Sequence, residues 1–283
     1  MIRDIQSLKA RVKAIAAREE RTFNDVWKQL TLERFLARVA VSEHRDSFVF
    51  KGGMLLARYV EIARETVDAD FLLQKLENNL GVIEAAAKEI QGIDLGDRFT
   101  FSYRRTESLK QPHMRYPGYR ISMDVKLENM RDVLNIDIGV GDVVEPEIRT
   151  IRLLEIKDTP LFEKEIFLNA YPPEGIFAEK LEAIFYRGST TSRMKDYHDI
   201  LLMIRHPTLL DSEKVKHCVK ATFNNLGTDL KLPLSFSAEE LETLQKYWTA
   251  HRRGIARSAS KLLLPEKINE AVTEINGWLG KIF

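Results

Sequence analysis

The chain has 283 residues, room for one large or two small buried cores. Its 43 basic and 42 acidic side chains leave a formal charge of +1, so bulk charge names no partner and any nucleic-acid surface must be a local patch. A single cysteine, Cys218, excludes a disulfide framework and a thiolate metal cluster, and no apolar run approaches the ~20 residues of a membrane span.

The opening stretch "MIRDIQSLKARVKAIAAREE" is charged throughout and has neither the apolar core nor the small-residue cleavage site of a secretory leader, so a cytoplasmic protein with no membrane partner is expected. Within it Ile2, Ile5, Leu8, Val12 and Ile15 recur at helical spacing and predict an amphipathic helix over about 2–20. A second helix, from Phe23 to about Ser42, carries Val26, Trp27, Leu30, Phe35, Leu36 and Val39 on its apolar side. Ser47–Phe50 reads as a short strand broken by Gly52-Gly53, Met54–Ile62 as a short helix, Thr66–Leu73 as a strand, and Leu76–Ile90 as a helix favoured by Ala85, Ala86 and Ala87. Phe99–Arg105, Tyr119–Glu128 and Val133–Gly141 then alternate apolar with polar residues, the period of a strand with one buried face. Arg149–Ile156 is a further strand candidate. At "YPPEG", Pro173 suits a first helical turn, and the chain beyond it reads helical nearly to its end, with breaks at "RGSTTS", "RHPTLLD", "LGTDLKLPLSF" and "LLLPEK". The expected fold class is α+β, with a mixed-sheet domain over 1–170 and a helical C-terminal domain over 171–283 that completes the active-site cleft.

In a strand, residues i and i+2 share a face, about 7 Å apart. Thr66, Asp68 and Asp70 therefore line one face of their strand, and Val67, Ala69 and Phe71 line the other, buried one. Asn135 and Asp137 stand the same way opposite Ile136 and Ile138. If these strands are neighbours, Asp68, Asp70 and Asp137 converge, and three like charges at close range require compensation. A divalent cation supplies it; Mg²⁺ in particular favours a few carboxylates together with substrate phosphate oxygens. The pattern points to metal-held phosphoryl or nucleotidyl transfer, and the plainer alternative is a solvated polar strand face. Gly52 and Gly53, at a strand-to-helix turn, would let backbone amides approach a phosphate with Lys51 beside them. The plainer reading there is a turn with a solvated lysine.

On the helix after Pro173, the apolar residues Ile176, Phe177, Leu181, Ile184 and Phe185 form a stripe in which Lys180 is embedded, so its charge must snorkel out or meet negative charge such as a triphosphate. "SRMKDYHDI" places Arg193, Asp196 and Asp199 on one side of a helix, with Asp196 near the edge of the apolar face and an Arg193–Asp196 ion pair as the simplest outcome.

Together the segments "FVFKGGMLLARYV", "RETVDADFLL", "NIDIGVGDVVEP" and "PPEGIFAEKLEAIFYRGSTTSRMKDYHDI" resemble the AbiEii-type nucleotidyltransferase toxins, also called the MenT group, of type IV toxin–antitoxin systems. The likeness covers roughly residues 45–205, and its last block is the most specific. The resemblance implies a minimal nucleotidyltransferase fold, a mixed sheet flanked by helices, with a helical C-terminal portion. It also implies an enzyme that uses an NTP with Mg²⁺ or Mn²⁺, and a cognate antitoxin encoded nearby. Some members of that family modify the acceptor end of tRNA and so stop translation. Carried over position by position, R-x-T-x-D-x-D places Arg64, Thr66, Asp68 and Asp70, the motif lysine is Lys180, and the K-D-x-x-D aspartates are Asp196 and Asp199. Met54 stands where many relatives carry Thr or Ser after the glycines, and it offers no hydroxyl to a phosphate.

The resulting assignment makes Asp68 and Asp70 metal ligands with Asp137 as a third. Lys51, Gly52, Gly53, Arg64, Thr66, Lys180, Arg193 and Asp199 bind the nucleotide, and Asp196 acts as general base or orients the acceptor. A non-catalytic nucleotide- or RNA-binding regulator would keep the fold without consuming NTP, a protein-modifying nucleotidyltransferase would differ in acceptor, and a metal nuclease would leave the Gly-Gly turn unexplained. For an RNA acceptor, "FSYRRTESLKQPHMRYPGYR" interleaves Arg104, Arg105, Lys110, Arg115 and Arg120 with Tyr103, Tyr116 and Tyr119, and "HRRGIARSASK" adds Arg252, Arg253, Arg257 and Lys261. Solvated hairpin and helix ends are the alternative.

Overall fold

Thr22 starts the first long helix. Its hydroxyl accepts the Asp25 N–H, while the Asp25 carboxylate accepts the N–H of Thr22, which closes a capping box at the head of α2 (Phe23–Val41). Before it, α1 (Ile5–Arg18) buries Ile5, Leu8, Val12 and Ile15, the stripe its spacing predicts, and packs on α2. The computed structural model describes residues 5–60, 69–109, 118–255 and 264–283. These form two units, one of residues up to 55, 69–109, 118–141 and 146–170, the other of residues 56–60, 142–145 and 171 onward, less 256–263.

The first unit is built on a seven-stranded mixed sheet. Its strands are β1 (Phe48–Lys51), β2 (Ala69–Leu73), β3 (Thr100–Leu109), β4 (Gly118–Leu127), β5 (Met130–Val140), β6 (Glu147–Arg152) and, after the small pair β7 (Glu155–Ile156) and β8 (Thr159–Pro160), β9 (Glu165–Ala170). The order across the sheet is β3-β4-β5-β2-β1-β9-β6. β2 runs parallel to β5, and β1 parallel to β9; the other neighbours are antiparallel. The α+β class with a mixed sheet flanked by helices is therefore as the sequence led us to expect. β9 was not anticipated: "EIFLNA" alternates buried Ile166, Leu168 and Ala170 with outward residues over only six positions.

α2 and α4 (Leu80–Gln91), the latter capped by the Asn79 side chain on Gly81 and Val82 N–H, cover the apolar side. Phe71 is the hub of that side, its ring within 5.6 to 6.3 Å of the rings of Phe35, Phe48 and Phe50. Two arginines of α2 are also buried there. Arg38 forks onto Asp97 at 2.9 and 2.9 Å and reaches the Phe99 carbonyl at 3.0 Å. Arg34 donates to Asp97 at 2.7 Å and to Glu163. Their guanidinium groups lie 4.4 Å (Arg34) and 4.7 Å (Arg38) over the rings of Phe162 and Phe101. Burial pushes the Asp97 carboxyl up, but the hydrogen bonds and charges of Arg38 and Arg34 outweigh this and hold it below the ordinary value.

The second unit is helical: α5 (Pro173–Arg187), a 3₁₀ turn at Gly188–Thr190, α6 (Met194–Arg205), α7 (Ser212–Leu226), α8 (Ala238–Gly254) and α9 (Ile268–Ile282). Three of these helix starts have a local reason. Pro173 occupies the first turn of α5, Asp211 caps α7, and Ser237 with Glu240 closes a capping box on α8. α5 packs on α6 and α7, and α6 on α8 and α9. Residues 56–60 and 142–145 join this unit through Tyr171: the Tyr59 hydroxyl donates to the Tyr171 carbonyl at 3.0 Å, and the Tyr171 hydroxyl donates to Asp142 at 2.9 Å. Among the described residues no helix is long and apolar enough to cross a membrane.

Candidate active site

In the sheet unit, β2 buries Ala69 and Phe71 on one face and Leu72 on the other, so Asp70 is the polar interruption in a central strand. Its neighbours are set by register. Lys51 pairs with Asp70 across β1–β2, Asp70 with Asp137 across β2–β5, and Asp137 with Arg120 across β5–β4. Four charged side chains thus form one row over four adjacent strands, ordered plus, minus, minus, plus. Arg120 donates to both Asp137 oxygens, from Nε and one terminal nitrogen, at 2.6 Å each. Beside this pair the Ser122 hydroxyl donates to Asn135 at 2.9 Å.

Gly52 follows β1 directly and has φ +79°. A Cβ on it would stand 2.0 Å from Asp70 Oδ2 and 2.7 Å from Asp70 Cβ, so only glycine lets the Asp70 side chain lie where it does. The helix expected over Met54–Ile62 is instead α3 (Gly52–Leu56), which contains both glycines. With five residues it is too short to supply the helix-terminus field that the turn was expected to offer a phosphate. The chain turns away after Leu56, and Tyr59 belongs to the other unit. Arg64, Thr66 and Asp68 lie outside the described residues.

In the helical unit, α5 buries Ile176, Phe177, Leu181 and Ile184, and Lys180 stands among them as its spacing requires. Its charge is met from α6: Lys180 Nζ lies 2.6 Å from Asp199 Oδ2 and 3.4 Å from Asp196 Oδ1, and Arg193 Nε donates to Asp196 Oδ2 at 3.0 Å. The side chains of Lys180, Asp196 and Asp199 are 11%, 3% and 0% exposed, so Asp196 is buried rather than at an open edge. Two cations balance two carboxylates; Lys180 and both aspartates are buried, while Arg193 stays partly exposed. Next to them Tyr197 is fully buried, and its hydroxyl finds no hydrogen-bond partner among the described residues. Burial, then the Asp196 charge, pushes that phenol well above its ordinary value. His198 faces elsewhere, its Nδ1 3.1 Å from His251 Nε2.

The expected basic surface is interleaved with acid. Arg104 lies 3.3 Å from Asp124, Arg105 lies 3.4 Å from Glu107, and Arg120 is committed to Asp137. Tyr103 donates to Glu84 at 2.6 Å with Lys88 over its ring, and Tyr119 donates to Asn78 at 3.1 Å. Lys110, Arg115, Tyr116, Arg257 and Lys261 lie outside the described residues, while Arg252 and Arg253 end α8.

The Arg120–Asp137 pair escaped sequence reasoning, which placed Arg120 with the RNA patch. The two-residue turn at Glu128–Asn129, with Glu128 at φ +49°, carried the signal. It sets Leu127 opposite Met130, and stepping back along both strands brings Arg120 opposite Asp137.

A family model described as nucleotidyl transferase AbiEii toxin, type IV TA system, matches residues 34–274. Among solved structures, JHP933 from Helicobacter pylori aligns at 14% identity over 92% of this chain and 92% of that one, with a TM-score of 0.45. An H. pylori protein described as a candidate nucleotidyltransferase aligns at 16% identity over 90% of this chain and 94% of that one, with a TM-score of 0.43. No curated protein sequence matches the chain.

Proposed function

We propose a reaction for a chain that belongs to the AbiEii nucleotidyl transferase toxin family of type IV toxin–antitoxin systems: transfer of a nucleotide from an NTP to the acceptor end of tRNA, with arrest of translation as the result. The observation that carries this reading is Asp70, set on a central strand against the bare Cα of Gly52 and in register with Lys51 and Asp137. That spot suits a hard divalent cation, Mg²⁺ or Mn²⁺, because its donors are carboxylate oxygens and residue 52 carries no side chain to push the Asp70 carboxylate aside. Among the described residues no group of three or more His, Cys, Asp or Glu is placed to hold a metal. Asp70 would therefore act with Asp68, two positions earlier. When bound, the cation supplies Lewis-acid neutralisation of the reacting phosphate.

The chain's own residues do the rest. Lys51, Gly52 and Gly53 bring positive charge and bare backbone beside Asp70, for the phosphates, and Arg64 and Thr66 serve the same nucleotide. Lys180, oriented by Asp199, offsets phosphate charge. Asp196, held by Lys180 and Arg193, takes the proton of the acceptor hydroxyl as its oxygen bonds to the α-phosphorus and the bond to the β-phosphate breaks, releasing pyrophosphate. The family also implies an antitoxin that restrains this activity.

The test is incubation with each α-labelled NTP and total tRNA, in Mg²⁺ and in EDTA. Label on RNA in Mg²⁺ alone is the expected result. Label on protein instead would reassign the acceptor, and no label on either would overturn the reaction.

A further inference from the structure

Resting on that reading, we infer that Asn135 is a specificity-determining residue whose side-chain amide donates to a ribose hydroxyl of the bound NTP, with Ser122 as the positioning residue that sets the amide. The two stand opposite each other across β4–β5. Ser122, only 5% exposed, donates its hydroxyl to Asn135 Oδ1 at 2.9 Å. That contact takes up the amide oxygen and leaves Nδ2, with its two N–H groups, pointing away from Ser122. Among the described residues nothing accepts from Nδ2, and Asn135 is only half-buried, so a ligand can reach it.

The place of Asn135 in the sheet selects the part of the nucleotide it would meet. It precedes Asp137 by two positions on β5, so both face the side of the sheet that carries Asp70. Since Asp70 pairs with Asp137, the Asn135 backbone lies about 4.8 Å across and about 7 Å along from that of Asp70, roughly 8 Å in all. β1 and β5 flank β2 on opposite sides. With the phosphates on the β1 side, at Lys51, Gly52 and Gly53, the β5 side of Asp70 is left for the nucleoside, and the ribose is the part of it next to the α-phosphate. A neutral amide suits that partner: phosphate oxygens are met better by a cation, whereas an uncharged hydroxyl accepts well from an amide N–H. An amide held ready for a hydroxyl also rejects a substrate that lacks one, because its N–H groups would then lose water without gaining a partner.

The experiment uses the full chain in Mg²⁺ without an acceptor, and measures by calorimetry the affinity of each NTP and of its 2′,3′-dideoxy counterpart. Wild type should prefer the NTP it binds best over the dideoxy form by about tenfold. Asn135→Leu, close in size but without a donor, should bring that preference down to about twofold or less, and Ser122→Ala to an intermediate value, with dideoxynucleotide affinity near wild type in both. The ratio, unlike affinity itself, is not moved by a general loosening of the sheet. Should Asn135→Leu not fold, Asn135→Ala carries this arm. A wild-type ratio near one would overturn the inference, as would a wild-type ratio retained in the Asn135 variants. Equal losses of NTP and dideoxynucleotide would also overturn it, by moving the contact to the base or the phosphates. An unchanged ratio in Ser122→Ala would remove the positioning role of Ser122. In all these cases nucleotide binding itself stands; no affinity of wild type for any NTP would instead overturn the proposed function, and this inference with it.

Discussion

The Asp70 side chain fills the space in which a side chain on residue 52 would begin: Oδ2 comes to 2.0 Å of the position a Cβ would take there. Gly52→Ala must therefore displace Asp70 as well as strain a backbone at φ +79°. The strain alone is worth about 1–2 kcal/mol. Gly96, at φ +65° with nothing within 4 Å of its would-be Cβ, isolates that term. Both alanine variants should melt earlier, Gly52→Ala by more because it also displaces Asp70, and Gly52→Ala alone should lose nucleotide transfer. Transfer retained in a folded Gly52→Ala would detach Asp70 from the chemistry.

Lys180 is expected to matter for folding as well as for the reaction, and the two can be separated. Lys180→Met leaves the fully buried Asp199 without its 2.6 Å partner, a loss of about 3–5 kcal/mol. Adding Asp199→Leu removes the stranded charge and should restore much of the stability in urea melts. Host growth arrest should be absent in the single and the double variant. If the double variant regains toxicity, Lys180 has no direct role.

For an RNA acceptor, Arg104 and Arg105 must leave Asp124 and Glu107 to reach phosphate. Arg104→Gln with Arg105→Gln should then lower RNA affinity and flatten its salt dependence by about 0.7 per lost contact in the log–log slope. Asp124→Asn with Glu107→Gln should raise affinity. Unchanged slopes in both double variants would place the acceptor surface elsewhere.

Two carboxyls should shape stability against pH in opposite directions. Asp97 is held below its ordinary value, so its contribution is full above about 3.9 and is lost as pH falls through the lower folded value. Glu182 is buried on α5, accepts from the Thr228 hydroxyl, and is pushed up by burial, with Thr228 and Arg187 opposing. Its folded form holds a proton longer, so stability declines as pH rises from about 4.3 through the raised value. Urea melts across pH should show Glu182→Gln matching wild type in acid and exceeding it at neutral pH. Parallel curves would mean that the Glu182 carboxyl titrates alike in the folded and unfolded chain.

Much of this was readable because it is local. Alternation in β4 and β5 and the placement of Asp70 on the strand face opposite Ala69 and Phe71 follow from strand geometry, and the placement of Lys180 within the apolar stripe of α5 and of Asp196 and Asp199 on α6 follows from helix spacing. What escaped depends on partners far along the chain. β9 is a strand because β1 and β6 flank it, not because six residues insist on it. Arg34 and Arg38 are buried because Asp97, about sixty residues on, meets their charge, and helix spacing alone carries no sign of that partner. Lys180 was matched to a triphosphate from its need for negative charge, and two aspartates of the next helix also meet that need.

The Arg34–Asp97–Arg38 cluster has a consequence for how this sequence can drift. Losing Asp97 strands the buried Arg38 charge at a cost of about 3–5 kcal/mol, and losing either arginine leaves the buried Asp97 with one cation instead of two, whereas apolar residues replacing all three together can stand near level with the original. Positions 34, 38 and 97 are thus bound by epistasis: every single step out is uphill, and the trio is inherited or abandoned as a unit. A saturation library should return almost nothing tolerated at Asp97 in the wild-type background, and a broader set once both arginines have become apolar.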